Sequence, residues 1–188
     1  MILIRVTAEL RPDEQRTALL FVRSERSRNT DSLGFIPWNG VLRHHENRKL
    51  AVCYRNSDLV GFILWGGSNG VCRVFQLCVR TDARRVEHGR ALARLVERWA
   101  EDRRWSIVRA RVAADLPAVS FWEAIGFRIN EIGPGGTRRG RIVLTFQKVV
   151  GITPASPSGA AAPPQDARAQ PSPQPTSLVS VQGARAAR

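Results

Sequence analysis

The stretch Val79-Arg80-Thr81-Asp82-Ala83-Arg84-Arg85-Val86-Glu87-His88-Gly89-Arg90-Ala91-Leu92 decides the reading of this chain. It reads as the end of a β-strand, a short basic turn and the first turn of a helix. Such a turn aims several backbone N–H groups and two arginines, Arg84 and Arg85, at one point. Unpaired amides and the helix dipole both favour negative charge there, so the segment predicts a phosphate cradle.

Beyond the turn, Leu92, Leu95, Val96 and Trp99 fall at i, i+3, i+4 and i+7 and predict one buried face on a helix over 88–102. Arg90, Arg94 and Arg98 form a stripe elsewhere on it. Before the turn, apolar runs at 49–55, 59–65 and 71–79 predict three strands in an antiparallel meander. Asn56-Ser57-Asp58 and the glycine-rich stretch 66–70 are read as its turns. A β-branched run at 2–7 predicts an opening strand. Pro12 with Asp13 and Glu14 opens a helix whose apolar face carries Ala18, Leu19, Phe21 and Val22. A short helix is expected over 36–45. Downstream come a strand at 106–112, a helix at 117–125 ended by Gly126, and strands at 127–132 and 141–149. This order predicts an α/β fold, one mixed sheet with helices on its faces.

The 188 residues carry a formal charge of +13, made by 27 Arg and 2 Lys. Residues 150–188 hold Arg168, Arg185 and Arg188 against Asp166, which leaves the body at +11. A basic body suggests an anionic partner: a phosphorylated cofactor, nucleic acid or an acidic protein. Cys53, Cys72 and Cys78 form no CxxC pair and read as small buried hydrophobes in a reducing cytoplasm. No apolar run approaches membrane length, so no membrane partner is expected. From residue 150 onward the chain is rich in Pro, Ala, Ser and Gln, and this tail is expected to be disordered. The folded domain is therefore placed at 1–149.

Two segments and the element order resemble the GCN5-related N-acetyltransferases (GNAT), which move an acetyl group from acetyl-CoA to an amine. The family's phosphate motif, R/Q-x-x-G-x-G/A, is occupied by Arg84-Arg85-Val86-Glu87-His88-Gly89, with Leu92 on the helix leucine and Val79 on the strand valine. Glu87 stands where the first glycine is usual. A later family segment, N-x-x-A-x-x-F-Y-x-x-x-G-F, aligns with Asp115 to Phe127, where Ala118, Phe121, Gly126 and Phe127 match. Asp115 replaces the Asn and Trp122 the Tyr.

The resemblance implies the GNAT acyl-CoA N-acyltransferase fold, with two neighbouring parallel strands, ending near Val79 and Val112, splayed to admit the pantetheine arm. Backbone groups around Leu77, Cys78 and Val79 would pair with that arm. The pyrophosphate would sit on the amides of Arg85, Val86, Glu87, His88, Gly89, Arg90 and Ala91, with Arg84 or Arg85 as counter-charge. An N–H near Cys78 or Val79 would stabilise the oxyanion. The implied activity is N-acetyl transfer to a primary amine in a ternary complex, with acetyl-CoA as co-substrate and no metal.

Many family members protonate the departing thiolate with the tyrosine that Trp122 replaces, so the acid is unassigned. The base is unassigned too, and His44, His45 and Glu46 are candidates only. Trp122 is read as packing against the thiol end of the cofactor or in the core. His88 is read as solvent-exposed or as a phosphate contact, and Glu87 as exposed or paired with an arginine. A covalent acetyl-cysteine at Cys78 is a minor alternative. The rival classes are a nucleic-acid-binding module and an acetyl-CoA sensor without catalysis on the same scaffold. The acceptor, a small molecule or a protein, is unassigned, and a homodimer is left open.

Overall fold

The structure, a computed structural model, describes residues 3–85, 87–135 and 140–151. Val86, to which the sequence assigns an amide contact, and the tail from 152 onward lie outside the described residues, as does Ile2 of the opening strand.

Seven strands form one mixed sheet: β1 (Ile4–Thr7), β2 (Leu50–Arg55), β3 (Asp58–Ser68), β4 (Val71–Val79), β5 (Ile107–Ala113), β6 (Arg128–Pro134) and β7 (Ile142–Val149). Their spatial order is β1-β2-β3-β4-β5-β7-β6. Only β4 and β5 run parallel, because only they are joined by a crossover helix. That helix is α3 (His88–Asp102), and α4 (Ala118–Ala124) follows β5. The other two helices, α1 (Pro12–Arg28) and α2 (Trp38–Glu46), precede the meander.

The sheet separates two cores. Phe62 and Leu64 of β3 pack with Ala18, Val22 and Val41 of α1 and α2. Ile63 and Trp65 point to the other face, against Leu92, Val96 and Ala100 of α3. Being covered on both sides, β3 reads as a near-continuous apolar run rather than an alternation. It also runs longer than its sequence suggests. Gly66, Gly67 and Ser68, expected in a turn, pair with Arg73, Cys72 and Val71. A Cβ on Gly66 would lie 2.9 Å from the Phe75 ring and one on Gly67 2.5 Å from the Trp105 ring, so these glycines make room for aromatics. The turn shrinks to Asn69 and Gly70.

One irregularity in β4 shapes everything that follows. Leu64 pairs with Gln76 while Trp65 pairs with Val74, which leaves Phe75 as a bulged residue with no partner on β3. Bulges bend and twist their strand. The parallel pairing of β4 with β5 stops here: it runs from Val71–Ile107 to Val74–Ala110 and no further. Meanwhile β5 stays paired with β7 as far as Ala113–Val143. The β5-facing edge of β4 from Phe75 to Val79 is therefore open, and the splay expected near Val79 and Val112 is present. Among the described residues no helix is long and apolar enough to cross a membrane.

Candidate functional site

Strand alternation fixes which backbone groups face the gap. Arg80 N–H donates to Val60 O of β3 at 2.7 Å. Successive residues point opposite ways, so Val79 and Leu77 turn their N–H and C=O to the open edge while Cys78 turns its own to β3. The Arg84 guanidinium agrees, donating from Nε to Val79 O at 3.0 Å. Of the three backbone positions assigned to the gap from sequence, Leu77 and Val79 face it and Cys78 does not. The Cys78 thiol is buried beside Glu25, Sγ to Oε2 4.0 Å. Burial and the Glu25 carboxylate push it up to about 11, so it is a protonated, poor nucleophile at neutral pH.

The chain then makes a 3-10 turn, Thr81–Ala83, and enters α3. Arg80 grips Asp82 at 2.6 Å and steadies the turn. Arg85 sits in the left-handed region, φ 62°, a conformation uncommon for a residue with a side chain. Both Arg84 and Arg85 are exposed. At the start of any helix the first N–H groups lack an intrahelical acceptor, and among the described residues no side chain caps those of His88, Gly89 and Arg90, which point out of the start of α3. Glu87 turns along the helix and pairs with Arg90, Oε2 to Nε 3.3 Å. Ala91 is already inside the helix, its N–H bonded to Glu87 O.

His88 corrects the sequence reading of its side chain. It is wholly buried, not exposed, and its imidazole does not reach the loop mouth. Its Nδ1 lies 2.9 Å from Ala83 O; a carbonyl only accepts, so Nδ1 carries the proton. The buried Nε2 has no partner among the described residues. The imidazole is thus an internal strut that ties the helix start to the turn. Gly89 has a steric role: a Cβ there would lie 3.0 and 3.3 Å from the Phe121 ring of α4.

Trp122 takes the second of its two readings. It is buried and stacks edge-on with Phe121 (5.3 Å) and Phe127 (4.8 Å) inside the α3-side core. His44 packs on Phe75 (ring centroids 5.0 Å apart), and burial pushes its pKa down. His44, His45 and Glu46 line neither of the clefts described next.

On the opposite face, where α1 and α2 leave β5 and β7 uncovered, two adjoining clefts open. One, about 610 Å³, lies between the loop residues Gly34 to Ile36 and the strands, with Arg73, Phe75, Arg109, Arg111 and Glu131 in its wall. The other, about 880 Å³, reaches the splay itself through Gln76, Ala113 and Leu116 and carries Arg26 and Arg141. Arg111 borders both. Gln76 and Arg26 donate to the carbonyls of Gly34 and Ile36 and hold the loop in place. These wall residues were not assigned from sequence. The alternation Arg109-x-Arg111 within a strand whose other face is Val108, Ala110 and Val112 was the available signal.

Residues 35–149 match the family model described as Acetyltransferase (GNAT) domain. The chain belongs to the GNAT acetyltransferase family. Among solved structures it is similar to Ard1 from Thermoplasma volcanium (20% identity, TM-score 0.66, covering 79% of this chain and 97% of that one). It is also similar to the ribosomal-protein-S18-alanine N-acetyltransferase from Escherichia coli (16%, 0.64, 81% and 97%). A third is the ribosomal-protein-alanine N-acetyltransferase from Brucella melitensis (20%, 0.61, 78% and 99%). At these identities the likeness is one of fold. No curated protein matches the chain.

GNAT proteins use acetyl-CoA, and the residues present suit such a molecule. An extended polar arm finds the N–H and C=O of Leu77 and the N–H of Val79 on the open edge, and a pyrophosphate finds three helix amides without a partner among the described residues, flanked by two exposed arginines. Among the described residues no cluster of His, Cys, Asp or Glu is placed to hold a metal ion.

Proposed function

We propose that this GNAT protein transfers an acetyl group from acetyl-CoA to a primary amine by direct attack within a ternary complex. The observation that carries the reading is the open β4 edge beside the uncapped start of α3. Leu77 and Val79 would hold the pantetheine amides as an added strand would. The N–H groups of His88, Gly89 and Arg90 would hold the pyrophosphate, with Arg84 and Arg85 as counter-charge. Acetyl-CoA would supply an activated thioester at the mouth of the gap. The N–H of Leu77 or Val79 is oriented to donate to negative charge developing on the acyl oxygen. The clefts on the far face would bring the amine to the same gap, and holding both reactants there supplies much of the acceleration.

Trp122 offers no titratable proton and is buried, so a departing thiolate takes its proton from solvent or directly from the attacking amine. Isothermal titration with acetyl-CoA tests the binding half. Arg84→Glu combined with Arg85→Glu is expected to weaken binding by about tenfold or more, the scale of one or two charge-assisted hydrogen bonds. Arg98→Glu, on the exposed flank of α3, should change it little. No binding by the wild type at millimolar acetyl-CoA overturns the reading. Binding without thiol release over a broad amine panel would instead favour a sensor.

A further inference from the structure

We infer that the acceptor is an acidic amine: a primary amine carried on a chain with carboxylates close to it, which an arginine row on the floor of the acceptor clefts receives. The inference rests on the acetyl-transfer reading above and names the substrate class for the same site. On β5, Val108, Ala110 and Val112 face the α3-side core. Arg109 and Arg111 therefore face the clefts, and Arg73 of β4 is the register partner of Arg109. Directly opposed side chains on neighbouring strands lie about 5 Å apart, and alternate residues on one strand about 7 Å. Three guanidinium groups thus share one small area of sheet.

Like charges opposed in a sheet destabilise it, so an arrangement of this kind calls for a compensating anion. Among the described residues no carboxylate pairs with the row, although Asp31 shares the wall of the larger cleft with Arg111. Arg109 is engaged by the neutral Gln147, Nε to Oε1 2.9 Å, and among the described residues Arg73 reaches only Ser68, at 3.5 Å. Arg111 has no hydrogen-bond or ion-pair partner among the described residues. The one carboxylate in the wall of the smaller cleft, Glu131, is two strands from Arg111, across Thr145 of β7, and makes no ion pair with the row among the described residues. Where a carboxylate lies beside an arginine the two pair, as at Arg5–Glu14 and Arg80–Asp82. The row is left open where the acceptor would lie.

Position relates the row to the reaction. Arg111 borders the cleft that reaches the splay, whereas Arg109 and Arg73 lie farther along the smaller cleft. An amine at the gap would place a carboxylate one or two bonds along its chain against Arg111, and later carboxylates against Arg109 and Arg73. Guanidinium groups accept carboxylates in a bidentate fork, which gives direction as well as attraction.

The test uses the full chain with three peptides that share an N-terminal Ala and differ in the next three residues: Glu, Gln or Lys throughout. Free glutamate and glutamine form a small-molecule arm. Thiol release is measured with saturating acetyl-CoA, and binding separately by anisotropy of C-terminally labelled peptides in the presence of CoA. The Glu peptide is expected to exceed the Gln peptide in kcat/KM by about tenfold, with the Lys peptide lower still. Arg111→Glu should invert the order of Glu and Lys peptides without changing acetyl-CoA affinity, and Arg98→Glu should leave the order as it is. A preference for glutamate over the Glu peptide would assign the same chemistry to a small acceptor.

Equal or better use of the Gln or Lys peptide overturns the inference and leaves acetyl transfer standing. An unlabelled single-stranded oligonucleotide that displaces the Glu peptide at lower concentration than the peptide itself also overturns it. If no peptide or amino acid is turned over although acetyl-CoA binds, peptide binding decides the inference, and the catalytic reading passes to the broad amine panel. In that case binding of the Glu peptide that Arg111→Glu abolishes still upholds the arginine row, and absence of such binding overturns it.

Discussion

Glu14 is held by two guanidinium groups at once. Arg5 meets its carboxylate at 2.6 Å and Arg11 at 3.3 Å, while the Arg11 backbone N–H donates to it at 3.1 Å. The hydrogen bond from Arg5 leads these effects and brings the carboxyl from its ordinary 4.5 down to about 2. A carboxyl depressed in the folded state stabilises the fold above its unfolded value and loses that contribution as pH falls through its folded value. Glu14→Gln should therefore lower the melting temperature at pH 7, and the gap from wild type should close between about pH 4.5 and about pH 2. A gap that stays constant down to pH 2 would refute this coupling. Because Arg5 lies on β1 and Glu14 on α1, the pair fastens the first strand to the first helix.

At the scale of elements, the junction of α3 and α4 depends on one missing side chain. Adding a Cβ at Gly89 presses on Phe121, whose ring is held by Trp122 and Trp122 in turn by Phe127. Overpacking of this kind costs about 1–3 kcal/mol, more than the ~1 kcal/mol that Ala gains over Gly in a helix. Gly89→Ala is expected to lower the melting temperature by roughly 2–4 °C per kcal/mol and to weaken acetyl-CoA binding. An unchanged or raised melting temperature would show that the ring yields. Sequence periodicity located α3 within its true limits, His88–Asp102, because its apolar stripe is long and regular. The same periodicity contained the burial of His88, which stands four residues before Leu92 and so on the same face. What misled was residue type, since histidine at a helix start is read as polar. The floor arginines were harder to see, because an exposed strand face and a binding floor have the same alternation until the loop from Gly34 to Ile36 is folded over it.

Across the whole molecule, the proposed reading has the start of α3 receive acetyl-CoA on one side of the gap and the clefts receive the amine on the other, so that the two would meet at β4 without sharing an entrance. That arrangement favours a single transfer step over a relay through the protein, and the protonated Cys78 thiol agrees with it. Initial rates with both substrates varied should give intersecting lines, and Cys78→Ala should keep turnover. Parallel lines, or a mass gain of one acetyl group after acetyl-CoA alone, would point to a covalent route instead. The bulge at Phe75 has one more consequence. Upstream of it Cys72 and Val74 belong to the α3-side core, and downstream Cys78, still an even number away, belongs to the α1–α2 core. One supernumerary residue has shifted the phase of the strand, so a single segment of chain serves both interiors in turn. Flattening the bulge with Phe75 retained would hand each core the residues meant for the other, whereas deleting Phe75 would keep every side chain on its face, remove only the bend and let β4 and β5 zip shut. The mouth of the gap and the change of interior consequently meet at one residue, and closing the gap by deletion would leave the two cores as they are.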